Sequence, residues 1–452
     1  MRWVVGKVKI ILWTRKEEGK MKKGLFISIF MLAVTYVGVL LTGNGAIAAE
    51  PIVIGIASSL GLGTGQQSMD AIKMVVEEIN SRGGITVGSS KRPLKVETVD
   101  LRDAEPGVPV TEALLGMEKL IIGKKAYAIL VGPYRSEALL ASMDLIAKHK
   151  VLMLLSIAMT PEMENKIQKD YESYKYVFRL CINSKNFMEY MAGLYTYIGS
   201  EFKFKRVYVL NEDSGFSRAA VNPLIANYFE KPDSGWTVMG HRTFPIGATD
   251  YTTGLMDAQM KGAQALLMLT SMPQGINLVK QWKSMKISAL MAGYTGLLTT
   301  EEAWKELGGG FGGAMDLIME MGNGIGVKEI PRSLEFLDKY VKRYGPWPKG
   351  GAMPHGIAPA YESMYILQEA IEKAGTLDPD AVVKEIEKTD RMGAMGRIRF
   401  DKNHQVVYGV DPQKASVAVV IQWRDDGQRV IVFPESIAKG KIELPAGLKT
   451  GR

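Results

Sequence analysis

Two short stretches carry the clearest chemistry. Gly132-Pro133-Tyr134-Arg135-Ser136 and Ser156-Ile157-Ala158-Met159-Thr160 each follow a short apolar run, and each brings a hydroxyl to a place where a helix or turn can start. Backbone N–H groups at a helix start have no partner inside the helix, and the helix dipole adds positive potential there. A hydroxyl beside them suits a carboxylate. Ser136 therefore reads either as an anion-binding hydroxyl or as a plain N-cap, and Thr160 either as a ligand contact or as the cap of the Pro161-Glu162-Met163 turn. Arg135 could clamp a carboxylate through two parallel N–H bonds, or serve as a surface ion-pair residue.

Other chemistries find little support. The four histidines, His149, His241, His355 and His404, show no metal-ligand spacing, and neither an HExxH nor a GxSxG pattern occurs. Cys181 is the single cysteine, so there is no internal disulfide and no CxxC site. The glycine-rich stretch at 61–65 reads GLGTG rather than GxGxxG and has no acid placed to read a ribose, so it fits a cleft mouth better than a nucleotide loop. Methionine is abundant, at 26 residues, and Met153, Met159, Met268 and Met272 fall at strand ends, where they are core filler or the walls of an apolar pocket. No catalytic residues, metal or cofactor are expected.

The elements that would position these loops alternate. Strand-like runs at 52–56, 94–99, 128–131 and 151–155 alternate with amphipathic helical stretches at 69–79, 111–122 and 137–148. A second series starts after a polar stretch at 165–175. It places strands at 206–210, 237–243, 265–269 and 289–293, with helices at 217–229, 250–261 and 275–285. The last third is more helical, around 334–344, 361–374 and 379–388, with strands at 397–400 and 417–423. Such alternation predicts parallel sheets covered by helices on both faces, here as two doubly wound α/β lobes. In such sheets ligands sit beyond the C-terminal strand ends, where both loops fall.

The 452 residues are 46% hydrophobic and 23% charged, which suits a globular chain of two or three domains. The net charge of +8 is concentrated at the start: outside residues 1–23 there are 48 basic and 46 acidic residues, a net of +2. That leaves no basic stripe for nucleic acid. Residues 1–49 read as a leader, with a better start at Met21. Lys22 and Lys23 precede an uncharged stretch at 25–41, and Ala46-Ile47-Ala48 offers small residues before a cut at Ala49. The same stretch could instead stay as a membrane anchor.

Several motifs in order resemble one family. They are Ile52-Val53-Ile54-Gly55-Ile56, the helix end Glu78-Ile79-Asn80-Ser81-Arg82-Gly83-Gly84-Ile85, Val131-Gly132-Pro133, Ser156 to Met163, Glu212-Asp213-Ser214-Gly215 and Ala360-Tyr361-Glu362-Ser363. Together, over residues 51–435, they resemble the branched-chain amino-acid binding proteins of ABC transporters, the type I periplasmic binding proteins. The resemblance implies two lobes joined by three chain crossings, lobe one being 50–174 plus 294–392 and lobe two 175–293 plus 393–440, with a tail at 441–452. It implies ligand contacts at Ser136, Ala158 and Thr160, with Ser156 in the same loop. In lobe two the family places an acid where Gln274 stands and an aromatic where Ser214 stands, with Phe216 close by. A neutral amide cannot pair fully with a buried ammonium, so a carboxylate or amide ligand fits better there, unless Glu212 or Asp213 restores an ammonium site. The implied function is capture of a small carboxylate-bearing solute (amino acid, aromatic or aliphatic acid, or amide) by a periplasmic monomer for ABC permease subunits. A ligand sensor of the same fold and an exported hydrolase are the alternatives.

Overall fold

The computed structural model describes residues 50–450 other than 106, 272, 301–302, 307, 346–354 and 446. The expected leader, with its start at Met21 and its cut before Ala49, lies outside the described residues. Among the described residues no helix is long and apolar enough to cross a membrane.

The first series runs β1 (Ile52–Ser58), α1 (Gly63–Ser81), the hairpin β2 (Ile85–Val87) and β3 (Ser90–Arg92), β4 (Leu94–Asp100), α2 (Val110–Glu118), β5 (Ala128–Val131), α3 (Ser136–His149), β6 (Leu152–Leu155), α4 (Glu162–Lys169), α5 (Tyr171–Tyr174) and β7 (Val177–Arg179). Its parallel sheet has the order β4-β1-β5-β6-β7. Strands β5 and β6 are buried at every position, as a sheet covered on both faces requires. The return from α1 is built from its last turn. The Asn80 side chain both donates to and accepts from the backbone of Leu94, at 2.9 and 2.8 Å, and Gly83 and Gly84 turn the chain at φ of 92° and 95°.

The second series runs α6 (Ser184–Phe202), β8 (Arg206–Glu212), α7 (Gly215–Leu224), β9 (Thr237–Phe244), α8 (Thr252–Met260), β10 (Ala265–Leu269), α9 (Ile276–Ser284), β11 (Leu290–Tyr294), α10 (Ala303–Glu306) and β12 (Met315–Ile318). The chain then returns to the first lobe with α11 (Pro331–Tyr344), α12 (Ile357–Ala374), α13 (Pro379–Glu387), β13 (Asp390–Gly393) and β14 (Gly396–Arg399). Phe336, Tyr361, Met364 and Val382 of these helices join the core around the first sheet. Finally β15 (Val419–Trp423) and β16 (Arg429–Phe433) complete a seven-stranded sheet of order β16-β15-β12-β11-β10-β8-β9, antiparallel only at β15 and β16.

Sheet membership moves the expected lobe boundaries. β7 belongs to the first sheet although it follows residue 175, and β12 belongs to the second although it follows residue 294. Neither segment was among the expected strands, being only three and four residues long. Two expected helices also end early. Residues 111–122 form α2 and then a π-helical turn, Lys119–Gly123. Residues 217–229 lie in α7 and a second π-helical turn, Ile225–Phe229. In α7, Pro223 has no N–H to donate to the preceding turn.

Candidate functional site

Both sheets share one topology at their parallel ends. β1 lies between β4 and β5, and β8 between β9 and β10, so each lobe reverses strand order beside its first strand. Ligands of such sheets bind at that reversal, beyond the C-terminal strand ends. In lobe one the reversal is followed by the loop from Val131 to Ser136. Val131 is buried with φ of 75°, a rare conformation for a β-branched residue, and Gly132 follows at 79°. A Cβ on Gly132 would stand 2.2 Å from Leu155 Cδ2, so only glycine fits. The turn delivers Ser136 as the first residue of α3, while Arg135 takes the N-cap position without a capping side-chain bond. Asp103 steadies this end, accepting from the Arg135 N–H at 2.8 Å and the Ser59 hydroxyl at 2.7 Å. Burial raises the Asp103 carboxyl above its usual range, against the pull of those bonds.

The loop after β6 has a one-sided hydrogen-bond pattern. Its carbonyls all face donors at the joint between the lobes. Ile157 O lies 2.8 Å from His355 Nε2. Ala158 O accepts from Arg179 at 3.4 Å, Met159 O from the Ser184 N–H at 3.0 Å, and Thr160 O from Arg179 at 2.7 Å. The N–H groups of residues 157–160 have no acceptor among the described residues. Residues 157–159 are buried, and a run of backbone N–H groups without protein acceptors is the donor set of an anion-binding concavity. Arg179, which is fully buried, also donates to Gln405 at 2.6 Å and pairs with Glu164, so one guanidinium ties the loop to the third crossing of the chain.

In lobe two the reversal brings the end of β8 against the loop after β10. Glu212 is 2% exposed and accepts the Ser271 hydroxyl. Asp213 is exposed and paired with Arg218. The lobes meet here. Burial first, and then the charges of Glu212 and Asp103, push the Tyr134 phenol well above its usual range. A Cβ on Gly215 would stand 3.3 Å from Glu137 of α3. Phe216 is half-buried and edge-on to Phe187 and Tyr294, with ring centroids at 5.6 and 6.5 Å.

The sequence profile of a family described as periplasmic binding protein matches residues 53–428. The chain belongs to that family. Periplasmic binding proteins bind solutes rather than transform them, so this chain is a binding protein and not an enzyme. Among curated proteins it is 21% identical over 403 residues to the Leu/Ile/Val-binding protein homolog 8 of Brucella melitensis, covering 86% of this chain and 91% of that one. Among solved structures it resembles a putative branched-chain amino acid ABC transporter protein from Silicibacter pomeroyi. The TM-score is 0.73 at 18% identity, covering 88% of this chain and 99% of that one. It also resembles a branched-chain amino acid transporter substrate-binding protein from Streptococcus pneumoniae in complex with isoleucine. There the TM-score is 0.66 at 18% identity, covering 87% and 100%. At these identities the structural likeness carries the type I periplasmic binding protein fold.

Within this periplasmic binding protein the expected site residues have different fates. Ser136 is half-buried, and its hydroxyl has no partner among the described residues. Thr160 Oγ1 accepts from the Glu162 N–H at 3.2 Å, which leaves its own proton to donate. Ala158 is buried in the loop, and the Ser156 hydroxyl is buried without a partner. The Arg135 guanidinium turns to the Val108 carbonyl at 3.2 Å and to Glu137 at 3.6 Å, so it is engaged away from a clamp beside Ser136. Ser214 caps α7, accepting from the Ser217 N–H at 3.2 Å. Gln274 stands exposed on the turn Pro273–Gly275. The ties of Arg179 and the His355–Glu320 pair join segments distant in the chain, so sequence spacing gave no sign of them.

Proposed function

We propose that this chain captures a neutral, apolar α-amino acid as its zwitterion in the cleft between the lobes and delivers it to an ABC importer on the extracytoplasmic side of a membrane. The observation that carries this reading is the pairing of opposite polarities across the cleft. The open N–H groups of residues 157–160, with Ser136 and Thr160, suit a carboxylate. Glu212, buried at the facing strand end, suits an ammonium. This gives the ammonium a partner even though Gln274 occupies the expected acid's place. Phe216 and Met159 supply apolar surface beside it. The names of the Brucella relatives and the isoleucine- and leucine-bound neighbours support the same ligand class. The leader at 21–48, with its small-residue cut site, supports export.

Titration calorimetry on the mature chain tests this with leucine, isoleucine, valine, 4-methylpentanoic acid and isopentylamine. An amino acid is expected to bind at least about tenfold more tightly than either single-charge analogue, since a hydrogen bond to a charged group contributes about 1.5–3 kcal/mol. Equal affinity for 4-methylpentanoic acid would remove the ammonium site from the proposal.

A further inference from the structure

His355 is buried between Glu320 and the loop after β6. Its Nδ1 lies 3.2 Å from Oε2 and 3.1 Å from Oε1 of Glu320, and its Nε2 lies 2.8 Å from the Ile157 carbonyl. Both partners can only accept. A neutral imidazole has a single N–H, so making both bonds requires the imidazolium. Glu320 is itself held as an acceptor by the Ile182 N–H at 3.2 Å, the Asn323 amide at 2.6 Å and the Gly356 N–H at 3.2 Å. Ile182 belongs to the first crossing between the sheets and Glu320 to the second, so the pair links both crossings to the ligand loop.

Resting on the reading of that loop as the carboxylate site, we propose that His355 is a positioning residue held as an imidazolium. It fixes the Ile157 carbonyl, turns the loop N–H groups toward the cleft, and makes ligand affinity fall as its proton is lost. A cation directly behind the loop also adds favourable potential for a bound carboxylate.

The charged and titratable groups around the pair come from every neighbouring element. They are Glu320 itself, Cys181 from the first crossing, Tyr294 from the end of β11 and Tyr408 from the third crossing, with Arg179 and Glu164 behind Cys181. Burial pushes Cys181, Tyr294 and Tyr408 well above their usual values, so all three stay neutral around pH 7. For His355 burial works against the charge. The Glu320 charge and hydrogen bond and the Ile157 carbonyl outweigh it, and its value stands above the ordinary one. The contribution is therefore complete below about pH 6.5 and declines as the pH rises through the shifted value.

The test uses the mature chain, leucine as the probe, and the variants His355→Gln and Glu320→Gln. Nitrogen-15 spectra of the ligand-free protein, with the ring assigned by its loss in His355→Gln, are expected to show both ring nitrogens protonated at about pH 6.5. The midpoint should fall in Glu320→Gln. Leucine affinity of the wild type is expected to drop roughly tenfold from about pH 6 to about pH 9. In His355→Gln it should be weaker at low pH and flat across that range. A neutral ring in a chain that binds leucine overturns the inference and leaves the functional reading standing. So does a flat wild-type profile, or an unchanged slope in His355→Gln. A charged ring in a chain that binds no amino acid overturns the functional reading, and the affinity claim falls with it.

Discussion

Asp316 shows how much one side chain can set the pH response of this protein. It is fully buried in β12, its Oδ1 accepts from the Thr295 N–H at 2.9 Å, and its Oδ2 has no hydrogen-bond partner among the described residues. Burial raises its carboxyl well above the usual range, and the backbone bonds only partly oppose that. The unfolded chain then loses this proton first as the pH climbs past about 4, so stability falls with rising pH until the folded carboxyl also ionises. Asp316→Asn keeps the acceptor for Thr295 and removes the ionisation. It is expected to raise neutral-pH stability by about 1–3 kcal/mol and to flatten the pH dependence of the melting temperature above about pH 4. Calorimetric melts of both proteins across that range check it, and parallel curves would refute it. Neither this carboxyl nor the ties of Arg179 were legible in the sequence. Arg179 meets Glu164, Thr160 and Gln405 because three chain segments converge there. What was legible was local: a hydroxyl just after an apolar run marks Ser136 and Thr160 whatever the tertiary contacts. Glu212 and Asp213 stayed equivalent on paper because only the twist and packing of β8 bury the first and expose the second.

Helix α6, which carries the chain from the first crossing into lobe two, had no counterpart in the expected elements. Phe187, Tyr190, Met191, Leu194, Tyr195, Ile198 and Phe202 recur at helical spacing along its buried face, so the period is present in residues 184–202. Its start is also well determined. Asn183 accepts from the Asn186 N–H at 2.7 Å and its amide donates to Glu164 at 2.6 Å. One side chain thus caps the helix and anchors it to the same carboxylate that pairs with Arg179. Replacing an Asn cap by Ala costs about 0.5–2 kcal/mol, and the lost bond to a carboxylate adds to it. Asn183→Ala is expected to lower the unfolding free energy by about 1.5–3 kcal/mol in denaturant titrations. Asn183→Asp should keep the cap and recover little, since it sets a second carboxylate beside Glu164. Full stability in Asn183→Ala would show that the crossing is held elsewhere. The strands were legible in part: β7, β12 and β16 were not among the expected runs. A run of apolar residues buried on both sides, as in β5, β6, β10 and β11, needs no partner to be recognised. Which sheet receives β7 or β12 depends on pairing, and pairing is not written in the run itself.

Closure of the two lobes follows from where the charges lie. On the reading proposed above, lobe one holds the ligand carboxylate through donors and lobe two holds its ammonium through Glu212, so a zwitterion would bridge the two. A ligand shifts an open–closed equilibrium only by the difference in its affinity for the two forms. A ligand held by lobe one alone gains nothing from closure. On that reading the charged bond to Glu212 forms only when the lobes meet, and at about 1.5–3 kcal/mol it would shift the closed-to-open ratio by roughly ten- to hundredfold. Glu212→Gln should therefore separate capture from closure. Small-angle scattering on the wild type is expected to show a smaller radius of gyration with saturating leucine. Glu212→Gln, saturated at proportionally higher leucine, should keep most of its unliganded radius. Ser136→Ala combined with Thr160→Ala should instead lose affinity by about tenfold or more. Once saturated, that double variant should still close, because its deficit lies in the lobe that holds the ligand in both forms. If Glu212→Gln compacts fully on saturation, the close approach of Gly215 to Glu137 of the facing lobe suffices for closure, and the carboxylate serves affinity alone.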